Sequence, residues 1–388
     1  MPQWIECTLN DIGEIVGGAT PATAMKKYYG GKIPWITPKD LSSHQERYIA
    51  KGERNITSAG LNSCSTRLLP KNTILFTSRA PIGYIAISST ELCTNQGFKS
   101  IIPKEGIDKL FVYYLLIYNR NKIISMGSGT TFKEISGKVM KSIDVKIPQT
   151  IQHQRKIASI LGRIDDKIEL NNKINDNLQQ HLNLLFFQIF TNIIPDIALG
   201  EVVETTSGGT PSRKHKEYYE NGSICWIKSK ELLGSYIHDT EEHINDLALS
   251  KSSTKMLPEH SVLIAMYGAT VGAYGIISKQ MTCNQAICAL LSNENYPYTY
   301  LFQIAHEQQQ NLINMAVGSA QQNISQALVK QLYIHSDIDA IKKFHKLAQP
   351  LHQQIQCLER ENKTLSEVRD TLLPKLMSGE LDVSELDI

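Results

Sequence analysis

The stretch IQHQRKIASILGRIDDKIELNNKINDNLQQHLNLLFFQIF, residues 151–190, decides the fold class of this chain of 388 residues. Apolar side chains recur in it at spacings of four and three, and two asparagines fill the remaining positions: Ile157, Leu161, Ile164, Ile168, Asn171, Asn175, Leu178, Leu182, Leu185 and Ile189. This heptad pattern is typical of a coiled coil, and it predicts a helix of about 38 residues and ~57 Å. A single globular core seldom needs so long a helix, so the pattern indicates a spacer.

The same spacing returns near the end of the sequence. Its members each lie 187 residues after a position of the first pattern: Leu351, Ile355, Leu358, Asn362, Leu365 and Leu372. Two equivalent helices, each following one half of the chain, predict a duplicated architecture. Asn175 and Asn362 are expected to be polar residues that set the register of these helices.

The two halves also share a series of short motifs in the same order. Gly17-Gly18-Ala19-Thr20-Pro21 corresponds to Gly208-Gly209-Thr210-Pro211, and Ile33–Ile36 corresponds to Ile224–Ile227. Short runs of Ile and Val that are broken by Gly, Pro, Asn and Ser predict β-strands. We therefore expect an α+β fold of two similar, mostly β domains (residues 1–150 and 193–337). Each is followed by a spacer helix (151–192 and 338–379), and an acidic tail (380–388) comes last.

Composition and charge narrow the classes of function. The net charge is only +2, but Lys and Arg outnumber Asp and Glu by seven to three between Lys26 and Arg54, and by five to two between Arg213 and Lys230. Basic clusters at equivalent places predict anion-facing surfaces. The seven cysteines form no CxxC pair, and no segment has the length or pattern of a membrane span or signal sequence, so we expect a cytoplasmic protein.

Catalytic motifs are missing from the sequence. It contains no GxxxxGK[ST] loop, no Asn/Asp-Pro-Pro-aromatic motif for base methylation and no HExxH or other metal-ligand spacing. Paired carboxylates such as Asp165-Asp166 occur in polar contexts that favour a surface role. We therefore expect no catalytic residues, no bound metal and no cofactor in this chain.

Five blocks of sequence together resemble the DNA specificity subunit of type I restriction–modification systems over nearly the whole chain. They are IPWITPKDL (33–41), LLPKNTILFTSRAPIGYIAI (68–87), TNQGFKSIIP (94–103), IPQTIQHQRKIASILGRIDDKIELNNK (147–173) and LLPKLMSGELDV (372–383). The resemblance implies two target recognition domains, each of which reads one half of a split DNA site. It also implies that the long helices pack as an antiparallel coiled coil with a pseudo-two-fold repeat. Two methyltransferase subunits and motor-nuclease subunits are the implied partners, and S-adenosylmethionine, ATP and Mg are expected only on them.

Candidate DNA contacts follow from side-chain chemistry and from loops in which the halves differ. Arg79 is suited to a bidentate contact with guanine, and Gln321 and Gln322 to contacts with adenine. Phosphate contacts are expected of Lys39, Lys99, Lys228 and Lys230. The divergent loops add Ser78, Thr131, Lys133 and Tyr267. For Gln96 and Gln285, which recur in both halves, a scaffold hydrogen bond is favoured over base reading. Trp35 and Trp226 are expected in the core.

The heptad residues are predicted to form the spacer and the surface for partner subunits: Ile157, Leu161, Ile164, Ile168, Asn175, Leu178, Leu351, Ile355, Leu358, Asn362, Leu365 and Leu372. Two other interpretations remain open from the sequence. The chain could be a stand-alone methyltransferase or nuclease with its own recognition domains, which the missing motifs disfavour. It could instead be a coiled-coil adaptor without a role on DNA, which the recurring basic clusters disfavour.

Overall fold

The computed structural model describes residues 3–44, 46–129, 133–317 and 323–386, except for the side chain at 317. The chain divides into two compact units. The first comprises Met1–Glu169 and Thr364–Ile388, and the second comprises Leu170–Lys363. Each unit therefore contains one domain together with a segment of both long helices.

The first half contains ten strands and shorter helices among the described residues, and a long helix ends the series. They are β1 (Trp4–Thr8), α1 (Leu9–Ile12), β2 (Gly13–Gly17), β3 (Tyr29–Ile36), α2 (Pro38–Ser42), β4 (Tyr48–Ile49), β5 (Arg54–Ile56), α3 (Ser58–Leu61), β6 (Ile74–Phe76), β7 (Ile85–Ser88), β8 (Cys93–Thr94), β9 (Lys99–Pro103), α4 (Lys109–Tyr118), α5 (Arg120–Ser125), α6 (Gly137–Lys141), β10 (Asp144–Pro148) and α7 (Ile151–Phe190).

The second half repeats this order with few changes. Its elements are β11 (Ile197–Ala198), α8 (Leu199–Val202), β12 (Glu204–Ser207), β13 (Ile224–Ile227), β14 (Tyr236–Ile237), β15 (His243–Ile244), α9 (Asp246–Lys251), β16 (Val262–Ala265), β17 (Tyr274–Ile277), β18 (Thr282–Cys283), β19 (Ile287–Leu291), α10 (Tyr298–Val317), α11 (Gln326–Lys330), β20 (Tyr333–Ile334) and α12 (Ile338–Ser378).

The sheets of the two units have the same topology. The first unit has a five-stranded sheet in the order β2-β9-β6-β7-β4, a three-stranded sheet β5-β3-β8 and a pair β1-β10. In the second unit the corresponding orders are β12-β19-β16-β17-β14, β15-β13-β18 and β11-β20. Strand pairing therefore confirms the internal repeat that the sequence predicts.

A central strand of each large sheet is buried on both faces. In β6, Ile74 and Phe76 belong to one hydrophobic cluster, which includes α4 and the start of α7, whereas Leu75 belongs to a second cluster on the other face. In β16, Val262 and Leu263 divide in the same way. Successive side chains of a strand point to opposite faces, so a continuous apolar run packs on both.

Segments of α7 and α12 pack against each other within each unit. In the first unit, Leu161 and Leu376 are fully buried in one cluster. In the second unit, Asn171 donates a hydrogen bond to Asn362 (2.9 Å), and the rings of Phe186 and Phe344 lie 5.5 Å apart. A later residue of α7 thus meets an earlier residue of α12, which is the antiparallel arrangement. All the predicted spacer positions are buried or half-buried.

The end of α12 is fixed by a glycine and an apolar contact. Gly379 has a φ of 79°, and a Cβ there would lie 2.7 Å from the indole nitrogen of Trp4, so this cap requires glycine. Val383, four residues further on, is fully buried in the core of the first unit. Among the helices within the described ranges, none combines the length and apolar content needed to cross a membrane.

Candidate nucleic-acid interface

The Gly-Gly turn near the start of each domain is a rigid part of the framework. In the first unit the Trp35 indole donates to the carbonyl of Ala19 (3.1 Å), and the Tyr29 hydroxyl donates to that of Pro21 (2.7 Å). The Thr20 hydroxyl donates to Gln96, as expected for a scaffold role of this glutamine. A Cβ on Gly18 would lie 2.2 Å from the carbonyl oxygen of Thr94, so only glycine allows this close approach.

The second unit repeats this arrangement. The Trp226 indole donates to the carbonyl of Gly209 (2.9 Å), and the Tyr219 hydroxyl donates to that of Pro211 (2.7 Å). A Cβ on Gly208 would lie 2.1 Å from the carbonyl oxygen of Cys283. Trp35 and Trp226 are both buried, which confirms their placement in the core.

Ser78 belongs to the framework and not to the surface. Its backbone amide donates to Gly97 (2.7 Å), its carbonyl accepts from Ile135 (3.0 Å), and its side chain is fully buried. Met266 makes the equivalent bonds in the second unit and is also buried. The side chain of Ser78 is therefore inaccessible, and its predicted contact with DNA is incompatible with this position.

Arg79, the next residue, is partly exposed and belongs to an ionic cluster around Glu134. Arg79 Nη1 lies 3.7 Å from one carboxylate oxygen of Glu134, and Lys99 Nζ lies 3.6 Å from the other. Lys133, which precedes Glu134 in the sequence, is exposed. Local spacing does not predict the contact of Glu134 with Arg79, because the two residues are 55 positions apart. The cluster brings two predicted DNA contacts, Arg79 and Lys99, together around one carboxylate.

The equivalent edge of the second unit has different chemistry. Tyr267 occupies the position of Arg79 and is 42% exposed. Cys288 pairs with Ser207 in this sheet just as Lys99 pairs with Gly17 in the other, so Cys288 occupies the position of Lys99. Cys288 is fully buried. The remaining predicted contacts of these loops, Thr131, Gln321 and Gln322, lie outside the described residues.

A second ionic cluster surrounds Glu242. Arg213 lies 2.5 Å from one carboxylate oxygen, and Lys228 bonds to the other. Burial opposes ionisation of Glu242, but the hydrogen bonds from Lys228 and Arg213 prevail and lower its pKa. The guanidinium of Arg213 also lies 4.3 Å from the Tyr219 ring centroid and 5.3 Å from that of Trp226. Both cations are thereby tied to the framework.

Two other predicted phosphate contacts have exposed acidic partners. Lys39 lies 2.9 Å from Glu53, and Lys230 lies 2.6 Å from Glu241. Solvent-exposed ion pairs contribute little to stability, so a phosphate can readily replace either carboxylate. Lys39 and Lys230 are therefore better placed for phosphate binding than Lys228, whose side chain is only 21% exposed.

A polar layer crosses the helix pair of the second unit. Asn171 is fully buried and donates to Glu361 (2.8 Å) as well as to Asn362. Asn362 in turn donates to Asn172 (2.8 Å). The seam partner of Asn362 is thus Asn171, whereas Asn175 is half-buried with an enclosed amide oxygen that has no partner among the described residues.

Buried charges connect the recognition domain of the first unit to both helices. Asp165 accepts from the Tyr114 hydroxyl (2.5 Å) and from Arg369 of α12 (2.9 Å). Arg47, which is 5% exposed, bonds to Asp166 and lies 3.7 Å from Glu169. Removing one partner of a buried ion pair is strongly destabilising. Asp165 is therefore structural, and Asp166, whose side chain is 65% exposed, pairs with a buried guanidinium.

Each unit also has a groove where its recognition domain meets a long helix. In the first unit the lining includes Leu115, Asn119, Asp144 and Met377. Their counterparts in the repeat line the groove of the second unit: Ile304, Gln308, Tyr333 and Phe190. The exposed rings of Tyr118 and Phe187 lie in the first and second groove, respectively. The duplication thus produces two equivalent concave surfaces, which sequence reasoning did not identify.

These features define a class of protein in which two similar domains with divergent loops accompany a pair of long helices. The family described as "Type I restriction modification DNA specificity domain" matches residues 1–180 and 196–368. The MjaIX specificity subunit of Methanocaldococcus jannaschii is 33% identical, over 99% of this chain and 94% of that protein. The chain therefore belongs to the family of type I restriction–modification DNA specificity subunits.

Other relatives agree with this assignment. The HindI specificity subunit of Haemophilus influenzae is 23% identical, over 70% of this chain and 77% of that protein. The crystal structure of the S subunit from M. genitalium shares the fold with a TM-score of 0.62, at 16% identity, and covers 99% of this chain and 97% of that one.

Proposed function

We propose that this chain reads a bipartite DNA target, with one recognition domain for each half-site. The observation that carries the proposal is the pair of equivalent edges with unlike side chains, Arg79 in one domain and Tyr267 in the other. A shared framework fixes where each loop lies, and the divergent residues determine which bases it contacts. Arg79, Lys99 and Lys133 supply donors to the first half-site, while Lys39 and Lys230 supply exchangeable phosphate contacts.

The second part of the proposal concerns partners. The two equivalent grooves support the docking of two methyltransferase subunits, because a duplicated surface binds the same partner twice. Motor-nuclease subunits join the complex for restriction. S-adenosylmethionine, ATP and Mg bind to these partners, and this chain contributes recognition and no chemistry.

Replacement of one domain tests the assignment of half-sites. Residues 1–150 are exchanged for the equivalent domain of a relative with a known target, and the methylated sequence is determined in cells that supply the methyltransferase. We expect one half-site to change and the other to persist. The matched control exchanges residues 193–337 and should change the opposite half-site. If either exchange altered both half-sites, the domains would not read independently.

Charge insertion tests the grooves. Phe187→Glu and Tyr118→Glu each place a carboxylate on one groove, and each should reduce the number of bound methyltransferase subunits from two to one in native mass spectrometry. The double variant should bind none. Leu247→Glu, at an exposed apolar position outside both grooves, is the control and should retain both subunits. Two bound subunits in the double variant would place the docking surface elsewhere.

A further inference from the structure

Three metal-ligating side chains meet in the second unit. Cys225 lies in β13, His243 lies directly opposite it in β15, and Asp239 lies in the loop that joins β14 to β15. Their ligand atoms Sγ, Nε2 and Oδ1 all lie within 4.8 Å of one another. The distances are 3.6 Å from Sγ to Nε2, 3.5 Å from Sγ to Oδ1 and 2.9 Å from Nε2 to Oδ1.

This triangle has the dimensions of one face of a tetrahedral zinc site. With Zn–S near ~2.3 Å and Zn–N and Zn–O near ~2.0 Å, tetrahedral angles place the sulfur about 3.5 Å from either of the other ligand atoms. The same geometry separates the nitrogen and oxygen by about 3.3 Å. The two sulfur distances agree with these values. The nitrogen–oxygen distance is shorter because His243 and Asp239 share a hydrogen bond.

The trio is accessible from solvent, and hydrogen bonds from neighbouring residues hold its carboxylate. Cys225 is 2% exposed, whereas the side chains of Asp239 and His243 are 43% and 32% exposed, so a metal ion has a route from solvent to a buried sulfur. The amide of Thr240 donates to Asp239 Oδ1 (3.0 Å), and Lys363 of α12 donates to Oδ2 (2.7 Å). Such outer contacts orient a ligating carboxylate.

The first unit provides a natural comparison. Pro34 and Asn55 are opposite each other in β3 and β5, where the second unit has Cys225 and His243. Neither residue supplies a thiolate or an imidazole. The shared fold therefore does not require this trio, and the cluster is a feature of the second domain alone among the described residues.

We propose that the second domain binds one zinc ion through Cys225 Sγ, Asp239 Oδ1 and His243 Nε2, with a water molecule as the fourth ligand. The ion joins the three-stranded sheet to the loop that follows β14 of the five-stranded sheet. Binding releases the thiol proton of Cys225, and His243 coordinates through Nε2 as the neutral tautomer that carries its proton on Nδ1. The role is structural, because the site fixes a loop that also contacts α12 through Lys363.

Cobalt(II) substitution tests the site in the full-length chain, purified with a tag that lacks histidine. We expect one equivalent of bound metal, visible as a thiolate-to-cobalt charge-transfer band in the near ultraviolet and as tetrahedral d–d bands. Cys225→Ser should abolish the charge-transfer band. His243→Ala and Asp239→Asn should each weaken binding by more than about tenfold. Cys357→Ser removes an exposed thiol and is the matched control, which should leave the band intact.

A zinc titration followed by thermal unfolding provides a second readout. Zinc should raise the midpoint of unfolding of the wild-type chain and of Cys357→Ser, and it should leave that of Cys225→Ser unchanged. Circular dichroism of the metal-free variants verifies that they fold. Less than half an equivalent of bound metal, or a charge-transfer band that persists in Cys225→Ser, would show that the trio is only a hydrogen-bonded cluster.

Discussion

At the residue scale, ion pairs hold the cations that are proposed to contact DNA. Arg79 and Lys99 share the carboxylate of Glu134, and Lys39 pairs with Glu53. In the proposed complex with DNA, a phosphate or base would therefore replace a carboxylate at each of these positions. The Arg79–Glu134 separation of 3.7 Å between partly exposed side chains is a weak contact, which leaves the guanidinium able to turn toward a base.

Arg79→Ala and Lys39→Ala are expected to weaken DNA binding in different ways. If Arg79 contacts a guanine, its loss should cost ~1–3 kcal/mol at one base pair of one half-site. Loss of Lys39 should weaken binding to all sequences about equally and reduce the salt slope by ~1. Both variants are titrated against single-base variants of the target at two salt concentrations, with the methyltransferase present.

Glu134→Gln is the control for the ionic cluster around Arg79. It removes the carboxylate charge and retains Arg79, so this variant should still prefer guanine at that base pair of the target. A uniform loss for Arg79→Ala across all base variants would instead identify Arg79 as a backbone contact.

His352 is expected to make the stability of the second unit depend on pH. Its ring is buried beside Tyr298 and Phe302, its Nδ1 pairs with the Tyr236 hydroxyl (3.1 Å), and burial lowers its pKa to about 3. The neighbouring His260 and His345 contribute to this lowering of the pKa. The unfolded chain takes up this proton near pH ~6.5, so stability should fall as the pH drops from there toward 3.

The test is to measure the free energy of unfolding by chemical denaturation between pH 7.5 and 4 for the wild type and for His352→Gln. The glutamine side chain is polar and does not titrate. This variant should lose less stability on acidification than the wild type. Some dependence should remain, because burial also lowers the pKa values of His260, His335 and His345. His181→Gln, at an exposed position of α7, is the control. An acid response of His352→Gln equal to that of the wild type would refute the assignment.

At the scale of elements, a polar layer sets the pairing of the helices. Asn171 and Asn362 bond to each other in the seam of the second unit, while apolar residues such as Phe186 and Phe344 pack further along it. This hydrogen bond between amides forms in one register only, because a shift by one turn would separate the two side chains. The layer therefore fixes how far α7 and α12 overlap.

Insertion of one heptad into both α7 and α12, at positions opposite each other in the second unit, should lengthen the spacer by ~10 Å. That length corresponds to about three base pairs of DNA. We expect unchanged half-sites separated by a longer gap, as determined by mapping the methylated sites. Insertion into α7 alone is the control. It should abolish methylation of the target, because it breaks the register in which Asn171 meets Asn362. An unchanged gap in an active double insertion would mean that the helices do not set the spacing.

At the scale of the whole molecule, duplication is the dominant fact. The sheets, the Gly-Gly turns and the grooves all occur twice, whereas the loop residues and the Cys225–Asp239–His243 cluster differ between the halves. A repeated framework with unlike edges suits a protein whose two domains bind the same partner and different DNA sequences.

The chain purified without partners is expected to show no methyl transfer, ATP hydrolysis or DNA cleavage, because it lacks the motifs for each reaction. Addition of the methyltransferase subunit should produce adenine methylation that depends on this chain. Turnover is measured with labelled S-adenosylmethionine, ATP and plasmid DNA. Activity that purifies with the isolated chain through successive columns would support a stand-alone enzyme instead.

The sequence by itself determined the features that local periodicity and repetition encode. Heptad spacing predicted spacer helices at 151–192 and 338–379, because the apolar positions of a helix face its partner, and the structure has them at Ile151–Phe190 and Ile338–Ser378. Recurring motifs predicted two equivalent sheet domains. These properties depend on neighbours only a few residues away, or on the comparison of one half with the other.

Only the tertiary structure decided which distant side chains meet. It placed Glu134 between Arg79 and Lys99, buried Ser78, and paired Asn362 with Asn171. It also brought Cys225, Asp239 and His243 together. Such contacts depend on strand register and on the paths of loops between strands, and neither is encoded in the spacing of residues along the chain.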